Sequence, residues 1–374
     1  MTLRLATKQQ IDYDQKTVYY RNLKTKKEDL TSYDRLVIAS GANAVVPNIP
    51  GVEASNVYPF TRLKAVQEIK NQLDDYQTVT IIGGGFIGVE VSDQLALLGK
   101  KVTLVEGLDR LMAGQFDPEF SEKIKGAVLE EGVEVLVNQF VKELVVEDGK
   151  VTQVKTADHT IDTDLVILAI GYRPHTAFAK NEQLEMLGNG AIVIDPSGET
   201  SISDVFAAGD CASSLHRQLG DIYLPLATVA SKMGRIIGVN VVSDNKKSLE
   251  YVGSLGTGAV KVGRYEAGRT GLNEVQAQEL GLAYKTTLIS TLNHTEYWPD
   301  YSDIDIKLIY EVGSKRLLGA QVFGKKDAVL RMTALTTAIH AGLTTDEIGF
   351  IDYAYAPPFS TTWEAINIAA NTAK

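Results

Sequence analysis

The stretch that most constrains this chain is residues 78–106, which predicts a strand, a tight turn, a helix and a second strand. The β-branched, apolar run Thr78–Ile82 is suited to a strand that is buried on both faces of a sheet. Gly99 is placed to end the helix, and Lys101–Val105 predicts the second strand. We therefore expect a parallel βαβ unit here.

The turn itself, GGGFIG at residues 83–88, fits the pattern G-x-G-x-x-G. In this pattern Gly83 allows the sharp turn, Gly85 lets the main chain approach a pyrophosphate, and Gly88 lets the helix lie close to the strand. The helix start offers free N–H groups to a phosphate, and Glu106 at the end of the second strand can accept from both hydroxyls of a ribose. The sequence therefore predicts a dinucleotide site, since a glycine-rich turn without a ligand would not need Glu106.

Composition limits the classes of partner and site. The 374 residues suggest about two or three domains, and the net charge of −10 argues against nucleic acid or an anionic membrane as the main partner. The single cysteine, Cys211, excludes an intrachain disulfide and a cysteine-based zinc cage, and the five scattered histidines predict no metal site. The N-terminus lacks an apolar signal core and no run reaches about 18 apolar residues, so a cytoplasmic location is expected.

Three further strands are predicted to end in small or acidic residues. Residues 36–39 lead into Ser40-Gly41-Ala42, residues 164–170 lead into Gly171, and residues 205–208 lead into Gly209-Asp210. Glycine at the carboxyl edge of a parallel sheet permits a ligand to approach closely. The alternatives stay open for each place: a tight strand exit, a loop glycine without a contact, and an aspartate that forms a turn or caps a helix.

Beyond Lys246 the pattern changes to antiparallel strands, predicted at residues 260–265, 285–292, 305–310 and 317–323. A helix is predicted at residues 327–341 with Gly342 as its end, and the tail after it is apolar and aromatic. We expect a separate α+β domain that presents a large interface.

Four pieces of the chain carry a family resemblance by their order. They are SGA at residues 40–42, GGGFIGVE at 83–90, AIGYRP at 169–174, and AAGDCA at 207–212 with PLATVASKMGR at 225–235. Together they resemble the pyridine nucleotide–disulfide oxidoreductases, which are flavoproteins with two dinucleotide-binding domains. The tail AYAPPFS resembles the branch that contains coenzyme A-disulfide reductases, NADH oxidases and NADH peroxidases.

The resemblance implies an α/β flavoprotein fold with two dinucleotide-binding domains, the first incomplete, and a C-terminal α+β dimerisation domain. The implied bounds are 1–57 plus 190–245 for the remainder of the FAD-binding domain, 58–189 for an NAD(P)H-binding Rossmann-like domain, and 246–374 for the dimerisation domain. A homodimer is implied, as is a small-molecule electron acceptor. In the family, hydride passes from NADH to the flavin and on to a disulfide, oxygen or peroxide; the sequence does not choose among these acceptors.

Carried over residue by residue, the resemblance implies two sets of cofactor contacts. The implied NADH contacts are Gly83, Gly85, Ile87, Gly88, Glu106, Gly171 and Leu226. The implied FAD contacts are Ser40, Gly41, Ala42, Arg62, Asp210, Ala227 and Thr228, with Asp210 on the ribitol. Glu106 favours NADH over NADPH because a carboxylate repels a 2′-phosphate, and the nearby Arg110 weakens that preference.

The chain departs from the family at one point. Such flavoproteins open with their own strand–GxGxxG–helix unit for the FAD pyrophosphate, followed by a redox cysteine, and neither occurs here. We therefore expect roughly 70 residues to be missing and FAD to be retained weakly or not at all. Cys211 follows the aspartate of the AGD turn and is interpreted as a small buried hydrophobe, not as the missing thiol.

Tyr297 and Tyr355 align with a tyrosine pair that assists at the partner subunit's site in the coenzyme A-disulfide reductase branch. A phenol can donate a proton or stabilise a thiolate; the alternative is that both are packing aromatics of a dimer interface. Two hypotheses for the function follow. The chain is either an FAD-dependent NAD(P)H oxidoreductase whose N-terminus is truncated or whose start is misassigned, with the activity of the given chain left open, or a non-catalytic protein that binds NADH and dimerises.

Overall fold

The structure is a computed structural model that describes residues 6–374 of the chain. The described residues form strands and helices that we number in chain order. The strands are β1 (Ala6–Asp12), β2 (Thr17–Asn22), β3 (Glu28–Ser32), β4 (Leu36–Ile38), β5 (Ala42–Ala44), β6 (Val57–Pro59), β7 (Thr78–Ile82), β8 (Lys101–Val105), β9 (Glu134–Leu136), β10 (Glu143–Glu147), β11 (Lys150–Lys155), β12 (Thr160–Asp162), β13 (Leu165–Leu168), β14 (Tyr172–Pro174), β15 (Val205–Ala207), β16 (Ser214–His216), β17 (Gly220–Ile222), β18 (Gly258–Val262), β19 (Tyr265–Gly271), β20 (Tyr284–Leu292), β21 (Asp303–Glu311) and β22 (Leu317–Gly324). The α-helices are α1 (Leu63–Gln72), α2 (Phe86–Leu97), α3 (Pro118–Glu130), α4 (Ala227–Asn240), α5 (Glu274–Glu279), α6 (Ala328–Ala341), α7 (Thr345–Ile348) and α8 (Ala365–Asn371).

The chain divides into two compact units. One unit comprises Met1–Asn43 and Tyr172–Ser254, and the other comprises Ala44–Gly171 and Leu255–Lys374. These bounds differ from those of the three predicted domains, and the three-domain division stays a prediction.

The first unit contains an antiparallel sheet in the order β1-β2-β3 and a parallel pair formed by β4 and β15. The pair is in register from Leu36 opposite Val205 to Ile38 opposite Ala207. Its core includes Ile38 and Phe206 from the strands, Cys211 from the turn after β15, and Met233 from α4. Because β4 and β15 run in the same direction, the residues that follow them lie at one edge of this small sheet.

The second unit is built on a parallel sheet in the order β6-β13-β7-β8-β9. Ile81, Leu104 and Ile167, one from each of three neighbouring strands, are fully buried, as the apolar runs of the sequence predict for a parallel sheet covered on both faces. The predicted helix of the βαβ unit is confirmed as α2, and Gly99 follows it with a positive φ of 77°. This sheet places the glycine-rich turn and Glu106 at one edge.

The same unit also contains an antiparallel sheet in the order β18-β19-β22-β21-β20. The single strand predicted at residues 260–265 is wrong: β18 and β19 form a hairpin in which Val262 pairs with Tyr265 across the two-residue turn of Gly263 and Arg264. Gly263 has a φ of 51°, a conformation that glycine adopts without strain, so it reverses the chain inside what reads as one apolar run.

A buried ion cluster joins the start of α3 to the antiparallel sheet of this unit. The Lys307 side chain, 2% exposed, lies 2.9 Å from Asp117 and also contacts Glu119 and Glu274. Burial alone lowers the pKa of Lys307, but the hydrogen bonds to these three carboxylates raise it well above the ordinary lysine value. Removing one partner from a buried pair leaves an uncompensated charge, so the cluster holds the start of α3 firmly against the antiparallel sheet.

Candidate functional site

Two glycines of the turn are required by close packing within the fold. Gly83 has a φ of 110°, and a β-carbon there would lie 2.5 Å from the carbonyl oxygen of Ala169 at the end of β13. A β-carbon at Gly88 would lie 1.8 Å from the carbonyl oxygen of Gly83. No side chain fits at either position. Glycine at both therefore allows α2 to lie directly against β7, as the sequence predicts.

Gly85 is different, because it faces open space. A β-carbon at Gly85 would meet no heavy atom within 4 Å, so nothing within the fold requires a glycine there. Gly85 is also the N-cap of α2, and no side chain caps this helix start. The first N–H groups of a helix have no partner inside the helix. An open space in front of such groups fits the pyrophosphate of a dinucleotide.

The Glu106 carboxylate is held at the same turn. Its Oε2 accepts a hydrogen bond of 2.6 Å from the Gly84 N–H, and its Oε1 accepts one of 2.8 Å from the Leu108 N–H. An ionised carboxylate offers about four acceptor positions, so both oxygens retain capacity for the hydroxyls of a ribose. The sequence predicted the position of Glu106 but not the bond to Gly84, which fixes the direction of the carboxylate.

Arg110 pairs with its neighbour Asp109. One guanidinium nitrogen lies 2.9 and 2.8 Å from the two oxygens of Asp109. The charge that was expected to weaken the preference for NADH is therefore already partnered by a carboxylate.

The remaining predicted NADH residues divide between the two units. Gly171 follows β13, has a φ of 99° and faces open space, and β13 is the parallel neighbour of β7. Ile87 lies in the first turn of α2 and packs at the edge of the main core. Gly171 and Ile87 thus share the sheet edge with the glycine turn, whereas Leu226 belongs to the other unit, where it is the N-cap of α4.

Six of the seven predicted FAD residues lie in the first unit. The Ala208 N–H donates to the carbonyl of Ile38 at 3.0 Å, which sets the exits of β4 and β15 side by side. Ser40 and Gly41 follow one exit and Asp210 follows the other. Ser40 donates from Oγ to the His175 carbonyl at 2.7 Å, and a β-carbon at Gly41 would meet open space.

The other members of the FAD set differ in their exposure. Ala42 is half-buried in β5, and Ala227 and Thr228, the first two residues of α4, are exposed. Arg62 belongs to the second unit, where it is the N-cap of α1. Ser40, Gly41, Ala42, Asp210, Ala227 and Thr228 therefore belong to one unit and Arg62 to the other.

Two tyrosines, Tyr172 and Tyr223, lie near Asp210, and sequence reasoning missed both. Burial raises the pKa of Asp210, and the Tyr223 hydroxyl donates to its main-chain carbonyl at 3.2 Å. Burial, followed by the charges of Asp210, Cys211 and Tyr172, raises the pKa of Tyr223 to about 12. A half-buried carboxylate beside phenol hydroxyls fits the polyol chain of a flavin cofactor, since it offers both acceptors and donors. No spacing in the sequence connects Tyr223 with Asp210.

Cys211 is fully buried, as predicted. Its Sγ lies 3.3 Å from the Ile38 carbonyl and 3.2 Å from the Ala208 carbonyl, to which the thiol can donate. A thiol without solvent access, in contact with main-chain acceptors, behaves as a small packing residue.

The structure brings the predicted tyrosine pair together. The two phenols lie close enough that Tyr297, followed by burial, raises the pKa of Tyr355. Both rings are solvent-exposed. The Thr295 hydroxyl donates to the Pro357 carbonyl at 2.7 Å, so the two loops that carry the tyrosines are tied to each other.

No helix among residues 6–374 has the length and apolar character needed to cross a bilayer. Within the same residues, no group of three or more His, Cys, Asp or Glu side chains is arranged to hold a metal ion. The absence of a metal site stays a prediction.

Comparison with known proteins covers nearly the whole chain. Residues 1–234 match the family model described as pyridine nucleotide-disulphide oxidoreductase, and residues 257–366 match the model of its dimerisation domain. An NADH oxidase of Enterococcus faecalis is 32% identical over 98% of this chain and 81% of its own length. An NAD(P)H coenzyme A polysulfide/persulfide reductase of Pyrococcus horikoshii is 33% identical over 96% of this chain and 80% of its own. The structure of a water-forming NADH oxidase of Lactobacillus brevis bound to NADH superposes with a TM-score of 0.94 at 29% identity, over 98% of this chain and 81% of that one.

Proposed function

We propose that this chain takes hydride from NADH in preference to NADPH and passes electrons to a small-molecule acceptor. The chain belongs to the pyridine nucleotide-disulphide oxidoreductase family. Family membership makes the chain an oxidoreductase that uses FAD and NAD(P)H. The dimerisation domain supports a homodimer. The choice of NADH, the acceptor and a cytoplasmic location are the proposed parts.

One observation carries the choice of NADH. The Glu106 carboxylate is fixed beside the turn by the Gly84 N–H, at the place where an acid meets the ribose in such a βαβ unit. A 2′-phosphate at this position would meet a carboxylate, and like charges at such distances are destabilising. The Arg110 guanidinium, which could offset that repulsion, pairs with Asp109.

The residues collected in the first unit would hold FAD. When bound, FAD supplies the acceptance of hydride and the transfer of electrons to the acceptor. Asp210 would accept from the ribityl hydroxyls, the Gly41 turn would let the cofactor lie close to the main chain, and the start of α4 would offer N–H groups to the ring edge. The protein's part in the reaction is to orient the two cofactors and to exclude water from them.

A disulfide acceptor is supported by the tyrosine pair. The neighbouring Tyr297 phenol raises the pKa of Tyr355, and a phenol is protonated at neutral pH. A protonated phenol can donate to the sulfur that leaves when a disulfide is cleaved. One relative is named a coenzyme A polysulfide/persulfide reductase, so we place a coenzyme A-type disulfide first and oxygen or peroxide second.

A specific observation favours a second candidate, a non-catalytic protein that binds NADH and dimerises. Ala227 and Thr228 are exposed, and β4 and β15 form a sheet of only two strands among the described residues. A cofactor pocket usually encloses most of its ligand, so this open arrangement supports weak retention of FAD.

The purified full chain decides between the two candidates. It is incubated with FAD and desalted, and its flavin absorbance and its NADH consumption are measured with coenzyme A disulfide, oxygen and peroxide in turn. The first candidate predicts retained flavin and turnover, with Tyr355→Phe slowing disulfide turnover several-fold. Tyr301→Phe, which changes a similarly exposed tyrosine (48% against 46%), serves as the control. A colourless protein that binds NADH without turnover would support the second candidate.

A further inference from the structure

Phe140 is a large apolar residue that the fold does not use. It follows β9 and is 69% exposed, and it belongs to none of the core clusters of the described residues. Single exposed apolar residues are common, so exposure alone assigns no role. Its position beside Glu106 gives it one.

The segment that carries Phe140 is tied to the segment that carries Glu106. The Gln139 N–H donates to the Glu106 carbonyl at 2.9 Å, and the Asn138 N–H donates to the Leu108 carbonyl at 2.8 Å. A second anchor lies on the other side, where the Thr156 hydroxyl donates to Gln139 Oε1 at 2.7 Å. Phe140 is therefore exposed but is carried on a fixed main chain.

The ring of Phe140 lies against Gly107, the residue next to Glu106. A β-carbon at Gly107 would come within 2.5 Å of one ring carbon and within 2.9 Å of another. Since no side chain at Gly107 separates them, the ring is held one residue away from the carboxylate assigned to the ribose.

We propose that Phe140 is the stacking platform for the adenine ring of the cofactor. The inference rests on the proposed NADH site at Glu106, because adenine is bonded to the ribose that this carboxylate holds. A flat, apolar ring with a free face beside the sugar is the arrangement on which nucleic-acid bases stack. Phe140 thus recognises the adenosine half of the cofactor and has no part in binding the nicotinamide half.

The test measures dissociation constants by calorimetry for Phe140→Ala, Phe140→Leu, Phe140→Tyr and the unchanged full chain. The ligands are NADH, ADP-ribose, and reduced nicotinamide mononucleotide, which lacks adenosine. We expect Phe140→Ala to weaken NADH and ADP-ribose about tenfold, a change equivalent to about 1.4 kcal/mol, and to leave the mononucleotide unchanged. Phe140→Leu, which keeps apolar bulk but loses the flat ring, should also weaken both adenosine ligands. Phe140→Tyr, which keeps the ring, should bind as the unchanged chain does.

A matched control is Leu98→Ala, which removes a side chain that is 63% exposed at the opposite end of α2. It should leave all three dissociation constants unchanged. Equal or tighter binding of ADP-ribose by Phe140→Ala would overturn the proposal, and so would an equal loss with the mononucleotide. If the unchanged chain binds neither NADH nor ADP-ribose, the proposed NADH site fails and the inference falls with it. If Phe140→Ala unfolds, Phe140→Leu and Phe140→Tyr still test the proposal. Both keep a bulky side chain, but only Phe140→Tyr keeps the aromatic ring.

Discussion

Replacing Gly85 by alanine separates the ligand role of the glycine turn from its folding role. The residue has a φ of −80° and a ψ of −171°, which alanine adopts freely, and the new methyl would meet no heavy atom within 4 Å. The only expected cost is the poorer N-cap, up to about 1 kcal/mol in the free energy of unfolding. Gly88→Ala is the contrast, because its methyl would lie 1.8 Å from a main-chain oxygen. Overpacking of this kind costs about 1–3 kcal/mol or more.

The same methyl in Gly85→Ala occupies the space in which the pyrophosphate would lie. It would push the phosphate away from the N–H groups of α2, and a hydrogen bond to a charged group contributes about 1.5–3 kcal/mol. We therefore expect NADH to bind about 10- to 150-fold more weakly, while the Tm changes by only a few degrees. Calorimetric titration and thermal unfolding measure the two effects. Unchanged NADH affinity in a folded Gly85→Ala protein would refute the placement of the cofactor.

Three further outcomes are expected. Lys307→Met leaves three carboxylates without their buried partner and should lower the free energy of unfolding by about 3–5 kcal/mol in urea titration. Lys123→Met, which removes a more exposed bridge to Asp305, should lower it by less than about 1 kcal/mol. Equal effects of the two changes would contradict the stabilising role of the buried cluster. Hydrogen bonds from Lys16 and Lys246 lower the pKa of Asp204 from 3.8 to about 2, so its stabilising contribution is present above about pH 4 and is lost as the pH falls towards 2. The free energies of unfolding of Asp204→Asn and the unchanged chain should therefore become equal as the pH falls towards 2. A difference that stays constant with pH would contradict this. Trp298→Ala and Phe350→Ala, at residues exposed in the dimerisation segment, should shift the dimer towards monomer in analytical ultracentrifugation, and an unchanged dimer would place the interface elsewhere.

The elements around the glycine turn could be predicted because each has a local signal. The apolar runs of β7, β8 and β13, and the positions of Gly83 and Gly99, fix the strands and the helix end without reference to distant residues. The hairpin at Gly263 was missed because its local signal is weak. A short turn inside an apolar run is marked by only one glycine.

Side-chain partners distant in sequence could not be predicted in this way. The pairing of Glu106 with the Gly84 N–H depends on the register of β8 against β7, and the position of Tyr223 beside Asp210 depends on the path of the β16–β17 hairpin. The resemblance indicated Tyr297 and Tyr355 as a pair, but the influence of Tyr297 on the pKa of Tyr355 follows only from the folded chain. An isolated Phe140 has no pattern that separates a ligand contact from a core residue.

The central claim is that a carboxylate at the end of β8 holds the ribose of NADH, and one titration tests it most directly. Dissociation constants for NADH and NADPH are measured for the unchanged chain and for Glu106→Gln, whose amide oxygen can still accept from the Gly84 N–H. The account predicts that the unchanged chain binds NADH more tightly than NADPH. It also predicts that Glu106→Gln weakens NADH about tenfold and narrows the difference between the two cofactors. Equal affinities for both cofactors in the unchanged chain, or a Glu106→Gln protein that binds NADH as well as its parent, would contradict it.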